Sequence, residues 1–210
     1  MSTLRVSVTD IDALRFYMNP PVPEMEIDLD ELLRRLRREE PPTPEMLAGT
    51  AFHNAMERAV EGEVPGLRWG DYTFSFETDA SLDLPDIREM KASKTFNVDG
   101  DIVTLVGKVD CIHGRRIEDH KLTKSFDAEK YLDSFQWKGY LDIFDADNFR
   151  WNVFEGRPTI EGGTDYLIRN VHKLEMHRYP GIAEDVERVV RNFVVFARDH
   201  LPERFQRAAA

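Results

Sequence analysis

The stretch Gly107-Lys108-Val109-Asp110-Cys111-Ile112-His113-Gly114-Arg115-Arg116-Ile117-Glu118-Asp119-His120-Lys121 decides how this chain folds. Apolar and polar residues alternate on both sides of His113-Gly114-Arg115-Arg116, which predicts two strands joined by a tight hairpin. Glycine at the first central position suits a type II′ turn with Gly114 and Arg115 at its tip. Pairing then runs His113 with Arg116, Ile112 with Ile117, Cys111 with Glu118, and Asp110 with Asp119. The last pair puts two carboxylates on one face, their Cβ atoms roughly 4.5–5.5 Å apart. Glu118 falls on the opposite face by the strand period and is not assigned to the site. Cys111, also opposite Asp110, is expected to behave as a small buried hydrophobe.

Like charges opposed on neighbouring strands are destabilising unless something binds between them. A divalent cation is the simplest remedy, because hard cations such as Mg²⁺ take oxygen ligands. Lys121 lies two residues beyond Asp119 and shares its face. An amine beside a metal-held carboxylate pair can orient an attacking water or help deprotonate it, an arrangement for metal-assisted hydrolysis of a phosphate ester. A solvated hairpin face, with Lys121 as counter-ion to two exposed aspartates, explains the same local pattern equally well.

Outward from the hairpin, short alternating segments at 71–78, 87–97 and 102–112 precede a strand at 116–122. A helix is expected at about 127–145, then strands at 148–155 and 164–176. In the last helix, near 181–200, Ile182, Val186, Val189, Val190, Phe193, Val194 and Ala197 recur with the helical period. The N-terminal part reads as three helices. The first, at 7–18, follows the N-cap formers Ser7, Thr9 and Asp10 and stops at Asn19-Pro20-Pro21. The second spans 28–39 with Leu29, Leu32, Leu33 and Leu36 on one face, and the third spans about 45–61. Ala208, Ala209 and Ala210 read as a loose tail. The order α-α-α-β-β-β-β-α-β-β-α implies an α/β layer structure with a central mixed, largely antiparallel sheet flanked by helices. Its 210 residues are expected to form one domain. That domain would comprise a helical part at about 1–65, a catalytic sheet and helix at about 71–145, and strands and a helix at about 148–203.

Hydrophobic residues make up 41% of the chain, which excludes a disordered polymer. No apolar run approaches the roughly 18 residues of a membrane span. The opening residues lack the apolar core of a secretory signal, so a cytoplasmic location is expected. Cys111, the single cysteine, cannot form an internal disulfide or supply a four-thiolate iron–sulfur cluster. The formal net charge of −11 argues against coating DNA by bulk electrostatics. Any nucleic-acid contact must rest on a local site where bound cations reverse the sign.

Asp110, the triplet Asp119-His120-Lys121 and then Gln136-Trp137-Lys138-Gly139-Tyr140 follow the motif order of the PD-(D/E)XK nuclease superfamily, which the chain resembles over about residues 5–145. It looks like the RecB-type nuclease domains and their relatives among phage and CRISPR-adaptation exonucleases. Gly49-Thr50-Ala51-Phe52-His53-Asn54-Ala55-Met56-Glu57 resembles that branch's Gly-x-x-x-His helix, and Val6-Ser7-Val8-Thr9-Asp10-Ile11 resembles its first helix. The resemblance implies a restriction-endonuclease-like core and a DNA nuclease dependent on Mg²⁺ or Mn²⁺. An exonuclease acting in DNA recombination, repair or processing is implied rather than a site-specific cutter. His53, Asp110, Asp119 and the main-chain carbonyl of His120 would be metal ligands, and Lys121, Asp110 and Asp119 would be catalytic. Gln136 and Tyr140 would support the site or contact DNA. Linear DNA would be the substrate, and a helicase or recombinase a partner. The four cysteines that hold an iron–sulfur cluster in many CRISPR-adaptation members are missing, so no cluster is expected.

Other readings stay open on the residues alone. His53 stands four residues before Glu57, an ordinary helix contact. Tyr140, with Phe135 and Phe144 nearby, could be a core aromatic. A type I′ turn at Asp99-Gly100 would carry Glu89 opposite Asp110, as a third carboxylate for a second metal, if no bulge intervenes. Arg34, Arg35, Arg37 and Arg38 are flanked by acidic residues and read as a solvated, salt-bridged face. Arg115, Arg116, Lys121 and Lys124 could guide a strand toward the metal. Two further functions compete with the nuclease: a catalytically silent DNA-binding or scaffold subunit partnering a helicase or recombinase, and a metal-binding hydrolase that is not a nuclease.

Overall fold

Leu4 and Val6 are buried on either side of exposed Arg5, and this alternation makes residues Ser2–Ser7 a strand, β1. The computed structural model describes residues 2–20, 26–60, 66–77, 84–85 and 87–207. Ser7 ends β1 and opens helix α1 (Val8–Met18) through a reciprocal capping box: its hydroxyl accepts the Asp10 N–H at 3.1 Å, and Asp10 accepts the Ser7 N–H at 3.2 Å. Asp28 and Thr43 cap α2 (Leu29–Arg37) and α3 (Pro44–Arg58) with one bond each, accepting the Glu31 and Met46 N–H, and Pro44 stands where a missing N–H costs nothing. Five strands follow: β2 (Gly66–Trp69), β3 (Tyr72–Phe76), β4 (Ile87–Val98), β5 (Asp101–His113) and β6 (Arg116–Thr123). Then come α4 (Ala128–Leu132), α5 (Gln136–Ile143), β7 (Asn148–Pro158), β8 (Asp165–His177), α6 (Ile182–His200) and the short β9 (Gln206–Arg207).

The strands form one mixed sheet in the order β2-β3-β8-β7-β6-β5-β1-β9, with β4 also paired to β5. Among the described residues β1/β5, β3/β8 and β6/β7 are parallel and the other five pairings antiparallel, so the mixed, largely antiparallel sheet flanked by helices is the fold observed. β7 shows how the two faces are filled. Phe149, Trp151 and Val153 join the larger core with α1, α2, α5 and α6, while Phe154 joins α3, β2, β3 and β8 on the other side. On that second side Phe52 of α3 packs 5.1 Å from Phe74 and 4.8 Å from Phe154, ring centre to ring centre. Full burial of such a side chain contributes roughly 1.5–3 kcal/mol, and it fixes the helix that carries His53.

Both hairpins next to the site keep the expected register. The ladder runs from His113↔Arg116 to Cys111↔Glu118, with Gly114 at φ 61 as a II′ turn requires. At the other hairpin Val98 pairs with Asp101, with Asp99 and Gly100 both at positive φ. Four elements differ from the sequence reading. β1, β2 and β9 are strands that the pattern does not predict, and residues 2–7 are a strand before the helix begins. The single helix at 127–145 is two helices, broken at 133–135. The break turns α5 onto α1 so closely that a Cβ on Gly139 would lie 3.2 Å from Val8. Pro21, residue 61, Thr78 and the tail Ala208–Ala210 lie outside the described residues.

Candidate active site

β5 and β6 carry the two acids. One step beyond the recorded ladder, Asp110 accepts the His120 N–H through Oδ2 at 2.6 Å, so the carboxylate continues the pairing in place of the backbone. Asp119 is near enough to feel the Asp110 charge. The same Asp110 oxygen meets His53 Nδ1 at 3.1 Å, so His53 turns to the strand acid rather than serving merely as a neighbour of Glu57 on α3. Asp119 Oδ2 lies 2.6 Å from Lys121 Nζ, and that ammonium stands 5.3 Å over the ring of Trp151, the residue beside Asp119 on β7. The aspartates are not on a solvated face: their side chains are 13% and 4% exposed, which disposes of the solvated-hairpin reading.

The environments drive the two acids apart. Burial raises the Asp119 carboxyl to about 6; the Asp110 charge adds to the rise and Lys121 opposes it. Burial also works against the Asp110 charge, but the hydrogen bond and charge of His53 outweigh it and hold that carboxyl well below the usual range. Lys121 is raised, because the charges of Asp119 and Asp110 outweigh its own burial. On the far face burial lowers the His120 imidazole to about 4; its Nε2 lies 3.3 Å from Cys111 Sγ and its Nδ1 3.4 Å from Asn152 Nδ2. Burial pushes the Cys111 thiol up to about 12, so it is inert, in line with the small buried residue expected. Glu118 also points to the far face, where Arg116, Arg150 and Asn152 hold it.

Gln136 and Tyr140 stand one turn apart on α5, with Gln136 Nε2 donating to the Tyr140 hydroxyl at 3.3 Å. Of the two readings the sequence allowed for Tyr140, the packing bears on one. It is a buried core aromatic, and its phenol is close enough to feel the charges of Asp119 and Asp110 after the larger effect of burial. Glu89 sits in register opposite Asp110 between the pairs Arg88↔Cys111 and Met90↔Val109, but its φ of 56 interrupts the ladder there, and its carboxylate pairs with Lys108. Of the arginines at 34–38, Arg34 pairs with Glu40, Arg37 with Glu203 and Arg38 with Asp10. Of the basic residues proposed as a guide, Arg115 pairs with Asp147 and Lys124 with Glu45.

Among the described residues no three His, Cys, Asp or Glu side chains form a ready-made metal cage. The donor set nonetheless suits a hard divalent cation: two carboxylates, an imidazole and a strand carbonyl. Asp119 Oδ2 is buried, and the Lys121 ammonium 2.6 Å away meets its charge. In a strand, a residue's N–H and C=O point to the same edge. The His120 carbonyl is therefore turned, with its N–H, toward Asp110.

Sequence reasoning missed a further group of residues, which meets the candidate site at Tyr140. Arg5, Ser7 and Thr9 from the β1–α1 junction join Lys91 and Ser93 of β4 and Lys108 of β5 around a cleft of about 460 Å³ that also reaches Tyr140. The alternation of β1 was the available signal for Arg5. The meeting of β1 with β4 and β5 was not visible in the chain.

No protein-family model and no curated protein sequence matches the chain. Among solved structures it is similar to an alkaline exonuclease from Laribacter hongkongensis, at 11% identity and a TM-score of 0.50 over 95% of this chain and 90% of that one. It is also similar to a protein from Eubacterium rectale described as a candidate exonuclease, at 9% identity and a TM-score of 0.52 over 96% of this chain and 84% of that one. At such identities the likeness concerns the fold.

Proposed function

We propose that the chain is a divalent-metal-dependent DNA nuclease that hydrolyses phosphodiester bonds from the ends of linear DNA. One observation carries the reading: two acids on adjacent strands, Asp119 buried and Asp110 half-buried, one met by an ammonium and the other by an imidazole. His53, Asp110, Asp119 and the His120 carbonyl would hold Mg²⁺ or Mn²⁺. Bound there, the ion supplies Lewis-acid polarisation of the phosphate and a more acidic water. Lys121 orients the attacking water and meets negative charge as it develops on the phosphate. Trp151 beneath the ammonium and Asp119 beside it limit where Lys121 can point. Gln136 and Tyr140 offer donors on the side of the cleft.

The cleft answers the objection raised by a net charge of −11. Arg5 and Lys91, with Lys108 beside its partner Glu89 and the hydroxyls of Ser7, Thr9 and Ser93, would give a DNA backbone a local basic surface that reaches Tyr140. The preference for ends is supported by the descriptions of the structurally similar proteins as exonucleases. A helicase or recombinase partner and a place in recombination or repair rest on the sequence resemblance.

The test is incubation with labelled linear single- and double-stranded DNA in Mg²⁺, in Mn²⁺ and with chelator. Wild type is expected to release nucleotides only with metal. Lys121→Ala and Asp119→Ala should each lose roughly 100-fold or more. Undiminished cutting by either variant would overturn the assignment. The missing ready-made cage favours one competitor, a silent DNA-binding subunit, which predicts DNA binding without cleavage in either metal.

A further inference from the structure

Helix α5 begins without a cap of its own. Its N-cap residue, Phe135, is in helical conformation and offers the first turn no side-chain acceptor. The donors at this end are satisfied from another helix. Asp12, on α1, accepts the Phe135 N–H through Oδ1 at 2.7 Å and the Ser134 hydroxyl through Oδ2 at 2.7 Å. Ser134 Oγ in turn accepts the Gln136 N–H at 3.1 Å. The carboxylate also sits at the positive end of the helix dipole, where an anion is favoured.

The chain of contacts leads into the site. From Asp12 it passes through Ser134 to Gln136, and Gln136 Nε2 donates to the Tyr140 hydroxyl. The Tyr140 ring is packed so tightly on β5 that a Cβ at Gly107 would come within 2.9 Å of it. Asp12 is close enough to Lys121 for the two charges to interact, although burial is the larger influence on the Asp12 carboxyl. α1 and α5 are thus tied at one point by a carboxylate that touches neither acid of the site.

We propose that Asp12 is a positioning residue: by capping α5 from α1 it fixes where Gln136 and Tyr140 stand relative to Asp110 and Asp119. The kinetic consequence rests on the nuclease reading; the structural one does not. A plain helix cap would protect stability and nothing else, so the test must separate the two. Asp12→Ala should lower kcat at least tenfold while Mn²⁺ affinity, measured by calorimetry, stays within twofold. Asp12→Asn keeps an acceptor for the Phe135 N–H and a polar partner for Ser134, and should restore kcat to within threefold of wild type. In a Gln136→Ala/Tyr140→Phe background, Asp12→Ala should lower kcat no further.

Amide hydrogen exchange across α5 supplies the arm independent of activity. It should quicken at least tenfold in Asp12→Ala and not in Asp12→Asn. Should Asp12→Ala fail to fold, Ser134→Ala, which removes one link, carries the same comparisons. An unchanged kcat, or a further loss in the double-variant background, overturns the proposal. If wild type does not cleave DNA the nuclease reading falls, and the exchange arm alone decides whether Asp12 fixes α5; unchanged exchange in the variant overturns it.

Discussion

Asp110 and Asp119 are the same residue type on adjoining strands, yet His53 holds one ionised while burial brings the other to about 6. Groups whose environments push them apart can take different parts in one reaction. The sequence made the pair legible because strand periodicity is simple: two residues per repeat, a two-residue turn, and Lys121 two beyond Asp119. His53 became legible only through its motif, since no spacing rule joins a helix at residue 53 to a strand at residue 110. His120 offers a test through pH. The unfolded chain takes its proton near 6.5, whereas burial makes the folded chain withhold it until about 4. Its contribution to stability is therefore complete above pH 6.5 and is lost as the pH falls through about 4. Metal-free wild type should lose about 3 kcal/mol relative to His120→Gln over that window, by urea titration. A difference independent of pH would contradict the assignment. Gly107→Ala tests the packing of Tyr140: the added methyl should cost roughly 1–3 kcal/mol and lower kcat, read by denaturation and cleavage side by side.

At the scale of elements, turn chemistry was the reliable guide. Gly114 and Asp99-Gly100 set both registers; the pairs counted from them hold as far as Cys111↔Glu118 and are interrupted at Glu89, while Asp110 meets the His120 N–H through its carboxylate instead of pairing with Asp119. Gly114→Ala, with φ held at 61, should cost about 1–2 kcal/mol without shifting the pairing, measured as a lower urea midpoint with cleavage retained. Of the features that escaped, two are instructive. β1 is six residues with only Leu4 and Val6 buried, a signal too short to stand out beside the capping box that follows it. The break at 133–135 escaped because both halves keep a helical pattern, and the acceptor that makes the break favourable, Asp12, lies over a hundred residues upstream. Long-range capping leaves no local mark.

For the molecule as a whole, charge is the quantity to explain. An excess of acid over base amounts to −11, while the cleft that reaches Tyr140 gathers Arg5, Lys91 and Lys108. The cleft could not be read from the chain, because β1, β4 and β5 meet only in the folded sheet. Lys91→Ala and Lys108→Ala should each raise KM severalfold with kcat little changed, and each should reduce the salt dependence of DNA binding by about one phosphate contact. Equal salt slopes for wild type and both variants would remove the cleft from the account. The central claim is that a divalent cation sits between the two acids. It is tested most directly by the anomalous difference map of a manganese-soaked crystal. The account predicts a peak bound by the Asp110 and Asp119 carboxylates and by His53, with Lys121 released from Asp119 Oδ2. No peak, or a peak elsewhere with Lys121 still seated on Asp119, would contradict it.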